Sequence, residues 1–245
     1  MVFLDLIELY ESEGFQIRTS ISPFLLRSIE KTSDQDGTCT YIHKDGVNWG
    51  AHGGGISMSE VYFFETIAAH KQAARVFGIG CSFGWSTLAL ALSHPRAKVV
   101  AIDIATGTSA HGLELTNRLA ARRGLDVKAI VAASPDGVAP VVAAEFDGPI
   151  DLVFIDADHN DAAQLADFEA VRPFLAPDAV VLFHDVYVCA MRESFGEIAR
   201  RMPTHEARVL SRTASGIGAV IPRSGHDGLR RAVAAFADPF APLPI

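Results

Sequence analysis

The sequence predicts one α/β domain built on a doubly wound sheet of seven mostly parallel strands, with an antiparallel last strand. Short apolar runs recur after residue 75, helix-like stretches separate them, and two more strand-like runs follow residue 205. Strands that are apolar on both faces and alternate with helices are typical of a parallel sheet covered on both sides. The short connection Ala214–Gly216 between the last two runs favours an antiparallel ending.

The N-terminal quarter differs from the rest. Apolar residues at helical spacing predict a helix over 1–10 and a second short helix over 24–29. The segment 32–56 is rich in glycine and is predicted to be a loop. Ser57, with Glu60 three residues later, forms a capping-box pattern that predicts a helix to about Lys71. We expect 1–56 to be helices and a loop rather than an independent domain, and 57–245 to be the α/β domain.

The alternation of strands and helices begins at residue 75. The predicted strands are Arg75–Ile79, Lys98–Ile102, Val127–Val131, Asp151–Ile155 and Ala179–Phe183. The helices predicted between them are Trp85–Leu92, Ser109–Arg123, Gly137–Glu145 and Ala162–Leu175. One more helix is predicted to end near Arg201, followed by strands at Glu206–Ser211 and Ile217–Ile221 and an irregular tail from Asp238.

Composition excludes several classes of protein. Of 245 residues, 49% are hydrophobic, so the whole chain is not intrinsically disordered. The net charge of −8 repels a phosphate backbone, so neither nucleic acid nor an anionic membrane is expected as a partner. The apolar stretches are too short to span a bilayer, and the start lacks the pattern of a signal peptide. The cysteines Cys39, Cys81 and Cys189 are widely spaced, which favours reduced thiols in a cytoplasmic protein.

The first strand of the sheet runs into Gly78-Ile79-Gly80-Cys81-Ser82-Phe83-Gly84 and then directly into a helix. Glycines at such a turn let backbone N–H groups approach a nucleotide or carboxylate, although tight packing also favours glycine. The second strand ends in Asp103, which can accept both hydroxyls of a ribose or can simply cap the next helix. Together the two features favour a nucleotide-type ligand.

Ionisable side chains follow the fourth and fifth strands: Asp156, Asp158, His159, His184 and Asp185. Because the carboxyl ends of parallel strands meet at one edge of a sheet, these groups are expected to face one crevice. A single Asp or His there is often a helix cap, but five converging groups indicate a metal site or an acid/base site.

In this order the motifs resemble the class I S-adenosylmethionine (SAM)-dependent methyltransferases. They are most similar to the branch of catechol and caffeoyl-CoA O-methyltransferases and bacterial relatives with Asp-x-Asp-His and His-Asp motifs. The resemblance covers about Ser57–Ile221 and is most specific at Asp151–Asn160 and Phe183–Val186. It implies a Rossmann-like fold and methyl transfer from SAM to a small-molecule hydroxyl. Small enzymes of this kind often pair as homodimers through N-terminal helices.

The resemblance also implies roles for individual residues. Cofactor contacts are implied for Gly78, Gly80, Ser82, Gly84, Ser86, Asp103, Ser134 and Asp156. Within that set the family places Gly80 and Gly84 around the methionine end, Asp103 on the ribose and Ser134 beside the adenine. The metal ligands, for a divalent cation such as Mg²⁺, are Asp156, His184 and Asp185. The catalytic candidates are His159, Asp156 and His184, with His159 standing where catechol-type enzymes carry a lysine.

Three departures from the family pattern stand out. Gly78 replaces an acid that helps to hold the amino group of the cofactor, and Pro177-Asp178-Ala179 replaces Pro-Gly-Gly. His184 replaces a carboxylate, whereas Mg²⁺ prefers oxygen ligands. Two ways of activating the acceptor hydroxyl therefore stay open: a cation on Asp156 and Asp185, or His159 as general base.

Other functions also fit parts of the pattern. A serine esterase would use Ser82 in Gly80–Gly84, the His52–Gly55 run, Asp156 and either His184 or His205, but too few residues precede the turn for that fold. A nicotinamide-dependent oxidoreductase would leave both Asp/His clusters without a role. A SAM-binding protein without methyl transfer also stays open, because of Gly78. The loop 43–56, with Trp49 and His52, is the candidate lid, with an ordinary connection as the alternative.

Overall fold

The computed structural model describes residues 1–19, 40–49, 55–107 and 109–237. The helix predicted over 24–29, the tail from Asp238, Cys39 and His52 lie outside these described residues.

The described elements alternate as predicted from residue 58 onward. The helices are α1 (Val2–Glu11), α2 (Met58–His70), α3 (Trp85–Ser93), α4 (Ser109–Arg123), α5 (Val138–Glu145), α6 (Asp161–Val171), α7 (Arg192–Arg201) and α8 (Asp227–Phe236). The strands are β1 (Gln16–Thr19), β2 (Thr40–Lys44), β3 (Val47–Asn48), β4 (Arg75–Ile79), β5 (Lys98–Asp103), β6 (Val127–Val131), β7 (Ile150–Ile155), β8 (Leu175–Phe183), β9 (His205–Val209) and β10 (Gly218–Pro222).

The main sheet has seven strands in the order β6-β5-β4-β7-β8-β10-β9. The pairs among β6, β5, β4, β7 and β8 are parallel, whereas β10 is antiparallel to both β8 and β9. The predicted fold class is therefore confirmed. The strand order reverses between β4 and β7, and in open α/β sheets ligands bind outside the carboxyl ends of the strands at such a point.

Apolar side chains cover both faces of this sheet. One cluster joins α1, α2, α3 and α8 to one face, with Leu6, Phe64, Leu88 and Phe154 among its members. A second cluster packs α5, α6 and α7 on the other face. This two-sided burial explains why the parallel strands read as continuous apolar runs in the sequence. None of the helices in the described ranges has the length and apolar character needed to cross a bilayer.

The prediction of a loop over 32–56 was wrong for Thr40–Asn48, which forms β2 and β3. These strands pair through a two-residue turn, Asp45-Gly46, in which both residues have positive φ (52° and 77°). Asp-Gly is a strong signal for this hairpin turn, and glycine adopts its conformation readily. β1 adds to β2 to complete a three-stranded antiparallel sheet.

Two further differences concern helix boundaries. The helix predicted to reach Leu175 ends at Val171, since Pro173 lies in a short 3₁₀ turn and β8 begins at Leu175. Helix α8 was not predicted, although Leu229 and Val233 on it are buried. The ring of Phe236 packs edge-on against that of Phe63 in α2, 4.9 Å between centroids.

Candidate active site

The carboxyl ends of β4, β7 and β8 are held together by backbone hydrogen bonds. The amide of Asp156 donates to the carbonyl of Ile79 (2.8 Å), and the amide of His184 donates to that of Ile155 (3.0 Å). The polar residues that follow these strands therefore start from fixed and neighbouring positions. This confirms that the two Asp/His clusters meet at one edge of the sheet.

The glycine-rich turn leaves β4 with positive φ at Gly80 (91°), Ser82 (46°) and Gly84 (79°). A Cβ at Gly80 would lie 1.9 Å from the carbonyl oxygen of Asp156, and one at Gly84 would lie 1.9 Å from Oγ1 of Thr116. Close packing therefore requires both glycines. Gly84 is also the N-cap of α3, and it has no side chain that could accept a hydrogen bond from the first turn. The first N–H groups of this helix, at buried Ser86 and its neighbours, therefore point towards the carboxyl edge of the sheet.

Asp103 lies at the end of β5 and ties the glycine-rich turn to that strand. Its Oδ2 accepts hydrogen bonds from the amides of Cys81 (3.0 Å) and Ser82 (2.8 Å), and its Oδ1 accepts one from Ala105 (2.8 Å). Each carboxylate oxygen has about two acceptor positions, so Oδ1 of Asp103 can still accept one hydrogen bond from a ligand. The neighbouring Ile104 is 58% exposed, an apolar side chain open to the same edge.

Gly78, where the family resemblance implied an acid, is tightly packed within the sheet. It pairs with Ala101 on β5, which in turn pairs with Ala129 on β6. A Cβ at Gly78 would lie 3.3 Å from the Cβ of Ala101. This row of small residues lets Leu113 of α4 pack closely against Ala101 and Ala129.

His184 is surrounded by three carboxylates. Its Nδ1 lies 3.1 Å from Oδ1 of Asp156 and 3.4 Å from Oδ2 of Asp185, and its Nε2 lies 3.4 Å from Oε1 of Glu60. Burial alone would lower the pKa of His184, but the charges of Asp156 and Glu60 raise it well above its ordinary value. His159 stands at the exposed side of the same cluster, with its Nδ1 3.4 Å from Oδ2 of Asp185.

Glu60 belongs to this site and was recognised from the sequence only as a helix cap. Its Oε2 accepts a hydrogen bond from the amide of Ser57 (2.7 Å), which completes the predicted capping box. Its Oε1 faces His184 and accepts hydrogen bonds from the amide (3.0 Å) and the hydroxyl (2.5 Å) of Ser215. Burial alone would raise the pKa of Glu60, but His184, Ser215 and Ser57 lower it to about 2. Nothing in the sequence indicated that this cap lies behind a strand-end histidine.

Ser134, expected beside the adenine, is held by another residue that the sequence did not indicate. Its hydroxyl donates a hydrogen bond to the carboxylate of Asp167 on α6. Asp167 is buried, and desolvation raises its pKa. This pair fixes the turn after β6 against α6.

The esterase alternative finds no support in this geometry. Both ring nitrogens of His205 are engaged, Nδ1 with the hydroxyl of Thr204 (2.9 Å) and Nε2 with the carbonyl of Ala179 (3.0 Å). The nitrogens of His184 face carboxylates instead of Ser82. Neither of the two histidines considered for this role is therefore paired with Ser82, as a serine nucleophile would need.

Trp49 of the candidate lid lies against the glycine-rich turn. Its ring is 6.0 Å from that of Phe83, and its Nε1 donates to the carbonyl of Lys44 (3.1 Å). A surface cavity of about 260 Å³ beside this pair is also lined by His111 and Arg118 of α4. That cavity lies away from the Asp156 cluster. Whether Trp49 closes over a ligand stays a prediction.

Comparisons with known proteins agree with this architecture. A family model described as a methyltransferase domain matches residues 77–186. No curated protein sequence matches the chain. Similar solved structures include the O-methyltransferase from Bacillus cereus in complex with SAH, at a TM-score of 0.56 and 20% identity over 68% of this chain and 82% of that one.

Two further structures are similar to the same extent. A methyltransferase from Geobacter sulfurreducens has a TM-score of 0.56 and 20% identity, over 69% of this chain and 80% of that one. The O-methyltransferase TomG from Streptomyces achromogenes, involved in tomaymycin synthesis and crystallised with SAM, has a TM-score of 0.51 and 21% identity over 69% and 82%. Residues 77–186 therefore match a methyltransferase domain, and the chain has the Rossmann-like fold seen in these methyltransferase structures.

Proposed function

We propose that the protein transfers a methyl group from SAM to the hydroxyl oxygen of a small-molecule acceptor, with a divalent cation held by Asp156, His184 and Asp185. One observation carries this proposal. The glycine-rich turn, Asp103 and the Asp156–His184–Asp185 cluster all lie at the carboxyl edge of the sheet, around the point where the strand order reverses.

The strand ends fit SAM as follows. The uncapped N-terminus of α3 suits the carboxylate of the methionine moiety, and Ser86 adds a hydroxyl. Oδ1 of Asp103 suits one ribose hydroxyl, and exposed Ile104 suits one face of the adenine, next to the turn that carries Ser134. Gly78 offers no carboxylate to the amino group, so that contact must come from elsewhere. Gly80 and Gly84 support the turn by packing against Asp156 and Thr116.

The donor set also fits a divalent cation. The ligand atoms of Asp156, His184 and Asp185 all lie within 4.8 Å of one another. Nδ1 of His184 is buried and makes no well-aligned hydrogen bond, although Oδ1 of Asp156 lies 3.1 Å away, while Glu60 stands behind Nε2. A carboxylate behind a histidine fixes the tautomer and orientation of metal-ligating histidines. One imidazole and two carboxylates favour Mn²⁺, Fe²⁺ or Zn²⁺ over Mg²⁺.

The protein itself must align the acceptor with the methyl group, exclude water and take up a proton. When bound, the cation would lower the pKa of the acceptor hydroxyl. His159 lies 3.4 Å from Asp185 through its Nδ1, so Asp185 can orient the ring and leave Nε2 free to accept the proton. Its side chain is 46% exposed, which gives that proton a path to solvent.

We also propose how the N-terminal segment and the assembly are organised. Residues 1–56 would complete the domain formed by 57–245 rather than fold alone, because side chains of α1 share a core with α2 and α3. A cytoplasmic homodimer is the assembly we expect. Exposed apolar side chains on α1 and α2, Leu4 (54%) and Tyr62 (62%), would suit such a contact.

The function is tested with purified full-length protein, methyl-labelled SAM and a panel of small aromatic hydroxyl compounds, with SAH binding followed by calorimetry. We expect methyl transfer that is lost in Asp156→Ala and Asp185→Ala and reduced about 10²–10⁴-fold in His159→Ala. Asp103→Ala should weaken SAH binding, whereas His159→Ala should not.

Each alternative has its own outcome in this experiment. Absence of SAH binding would contradict the proposed function altogether. SAH binding with no transfer to any hydroxyl compound would support the SAM-binding protein without turnover, the alternative that Gly78 leaves open. Full activity in EDTA would exclude the cation and leave His159 as the activating group.

A further inference from the structure

A second set of metal-ligating side chains adjoins the one above. The ligand atoms of His159, Asp185 and Cys189 also lie within 4.8 Å of one another, and the two sets share Asp185. We propose that His159, Asp185 and Cys189 form a binding site for Zn²⁺, and that occupancy of this site inhibits the enzyme.

The backbone after β8 places Cys189 at this point. Asp185 and Ala190 both have positive φ (56° and 58°), and the amide of Cys189 donates to the carbonyl of Asp185 (2.9 Å). The amide of Val188 donates to the carbonyl of Ser215 (3.2 Å), which attaches the turn to the β9–β10 connection. The chain thereby folds back within four residues, so the thiol is held beside the carboxylate.

The distances and donor types suit zinc. Nitrogen and oxygen ligands of tetrahedral Zn²⁺ lie about 2.0–2.2 Å from the ion, which places them about 3.4 Å from each other. Nδ1 of His159 and Oδ2 of Asp185 are 3.4 Å apart. Imidazole, carboxylate and thiolate are the usual zinc ligands, and three protein ligands leave one position open to water. A thiolate discriminates against Mg²⁺ and Mn²⁺.

Cys189 differs from the other described cysteine in this respect. Cys81 is buried, and its sulfur contacts the hydroxyls of Thr87 (3.6 Å) and Thr116 (3.9 Å). Burial and the neighbouring Asp185 raise the pKa of the Cys189 thiol, so the metal-free thiol is protonated near neutral pH. Zinc binding would form the sulfur–zinc bond, break the sulfur–hydrogen bond and release one proton to solvent.

Occupancy of this site would remove two groups from the proposed reaction. Asp185 would be drawn from the Asp156–His184 cation site, and His159 would lose its role as base. This inhibitory effect rests on the proposed function, but the zinc site itself does not.

Co²⁺ is the spectroscopic probe for this site, because a cobalt–thiolate bond gives a charge-transfer band in the near ultraviolet. We expect full-length protein titrated with Co²⁺ to show the band and Zn²⁺ to remove it. The band should be lost in Cys189→Ser and kept in the matched variant Cys81→Ser. A band that persists in Cys189→Ser, or its absence from the unmodified protein, would overturn the zinc site.

Inhibition is measured separately, as the ratio of rates with and without Zn²⁺ within each variant. We expect half-inhibition of Cys189→Ser to need at least about tenfold more Zn²⁺ than in the unmodified protein. Equal sensitivity would overturn the inhibitory role. A cobalt–thiolate band in a protein that transfers no methyl group would instead uphold the zinc site and contradict the proposed function.

Discussion

The residue with the most consequences for the site is Glu60, since one buried carboxylate both caps α2 and faces His184. We expect Glu60→Gln to lower Mn²⁺ affinity by about 10–100-fold, because the amide no longer orients the histidine as a carboxylate does. Ser57→Ala is the matched control, since it removes the other half of the capping box and costs about 1 kcal/mol without touching His184. Mn²⁺ binding is followed by electron paramagnetic resonance. Equal Mn²⁺ affinity in the two variants would show that Glu60 caps the helix and does not orient His184 for the metal.

We expect the protonation of His94 to make the unfolding free energy, rather than turnover, depend on pH. It is fully buried at the end of α3, its Nδ1 accepts a hydrogen bond from the amide of Ala73 (3.2 Å), and burial lowers its pKa to about 4. The unfolded chain binds this proton near pH 6.5, so the unfolding free energy should fall as the pH drops from about 6.5 to about 4. Urea unfolding across this range should show a flatter profile for His94→Gln. If the unfolding free energy changes with pH equally in His94→Gln and the unmodified protein, His94 is not the source of the dependence.

At the scale of elements, the turn from β4 to α3 depends on close packing against β7 and α4. Gly80→Ala adds a Cβ that would lie 1.9 Å from the carbonyl oxygen of Asp156, at a φ of 91°. Gly124→Ala is the matched control, because φ there is 70° but the added Cβ meets no atom within 4 Å. We expect the control to lose about 1–2 kcal/mol of unfolding free energy in urea and Gly80→Ala to lose clearly more, or not to fold. Similar losses would show that conformational strain alone requires the glycine.

The sequence predicted those elements whose signal is local. Strands such as Val127–Val131 and the capping box at Ser57 were located because apolar periodicity and cap residues act over a few positions. The β2–β3 hairpin was missed because many glycines outweighed the Asp45-Gly46 turn signal. The placement of Glu60 behind His184 depends on two segments far apart in the chain, which no local pattern encodes.

Some residues of the candidate site could be predicted from the sequence in the same way, and others could not. Asp156, His184 and Asp185 could be grouped because each follows a strand of the same predicted sheet. Cys189 joins them only through the positive-φ turn after Asp185, and the partnership of Ser134 with Asp167 depends on how α6 packs. The contacts that the sequence did not reveal are those that depend on packing between elements rather than on the elements themselves.

At the scale of the whole molecule, α1 is part of the core of the α/β domain. Leu6 is fully buried, the ring of Phe3 packs edge-on against that of Trp85 (5.9 Å), and the hydroxyl of Tyr10 donates to the carbonyl of Phe83 in the glycine-rich turn (2.5 Å). The N-terminal helix therefore supports the segment proposed to hold the cofactor. Its stability should be inseparable from that of the sheet.

Unfolding in urea, followed in parallel by tryptophan fluorescence and far-ultraviolet circular dichroism, tests whether α1 unfolds together with the sheet. Both probes should report one coincident transition, since Trp85 packs against Phe3 and Tyr10 of α1 in a core cluster that includes residues of the sheet, while the dichroism reports all helices. Leu6→Ala should lower the unfolding free energy by about 2–5 kcal/mol and keep the transitions coincident, because the cavity lies in the shared core. Glu8→Ala, at an exposed position of the same helix, should change it by less than about 1 kcal/mol. Separate transitions in Leu6→Ala would mean that the N-terminal segment unfolds on its own.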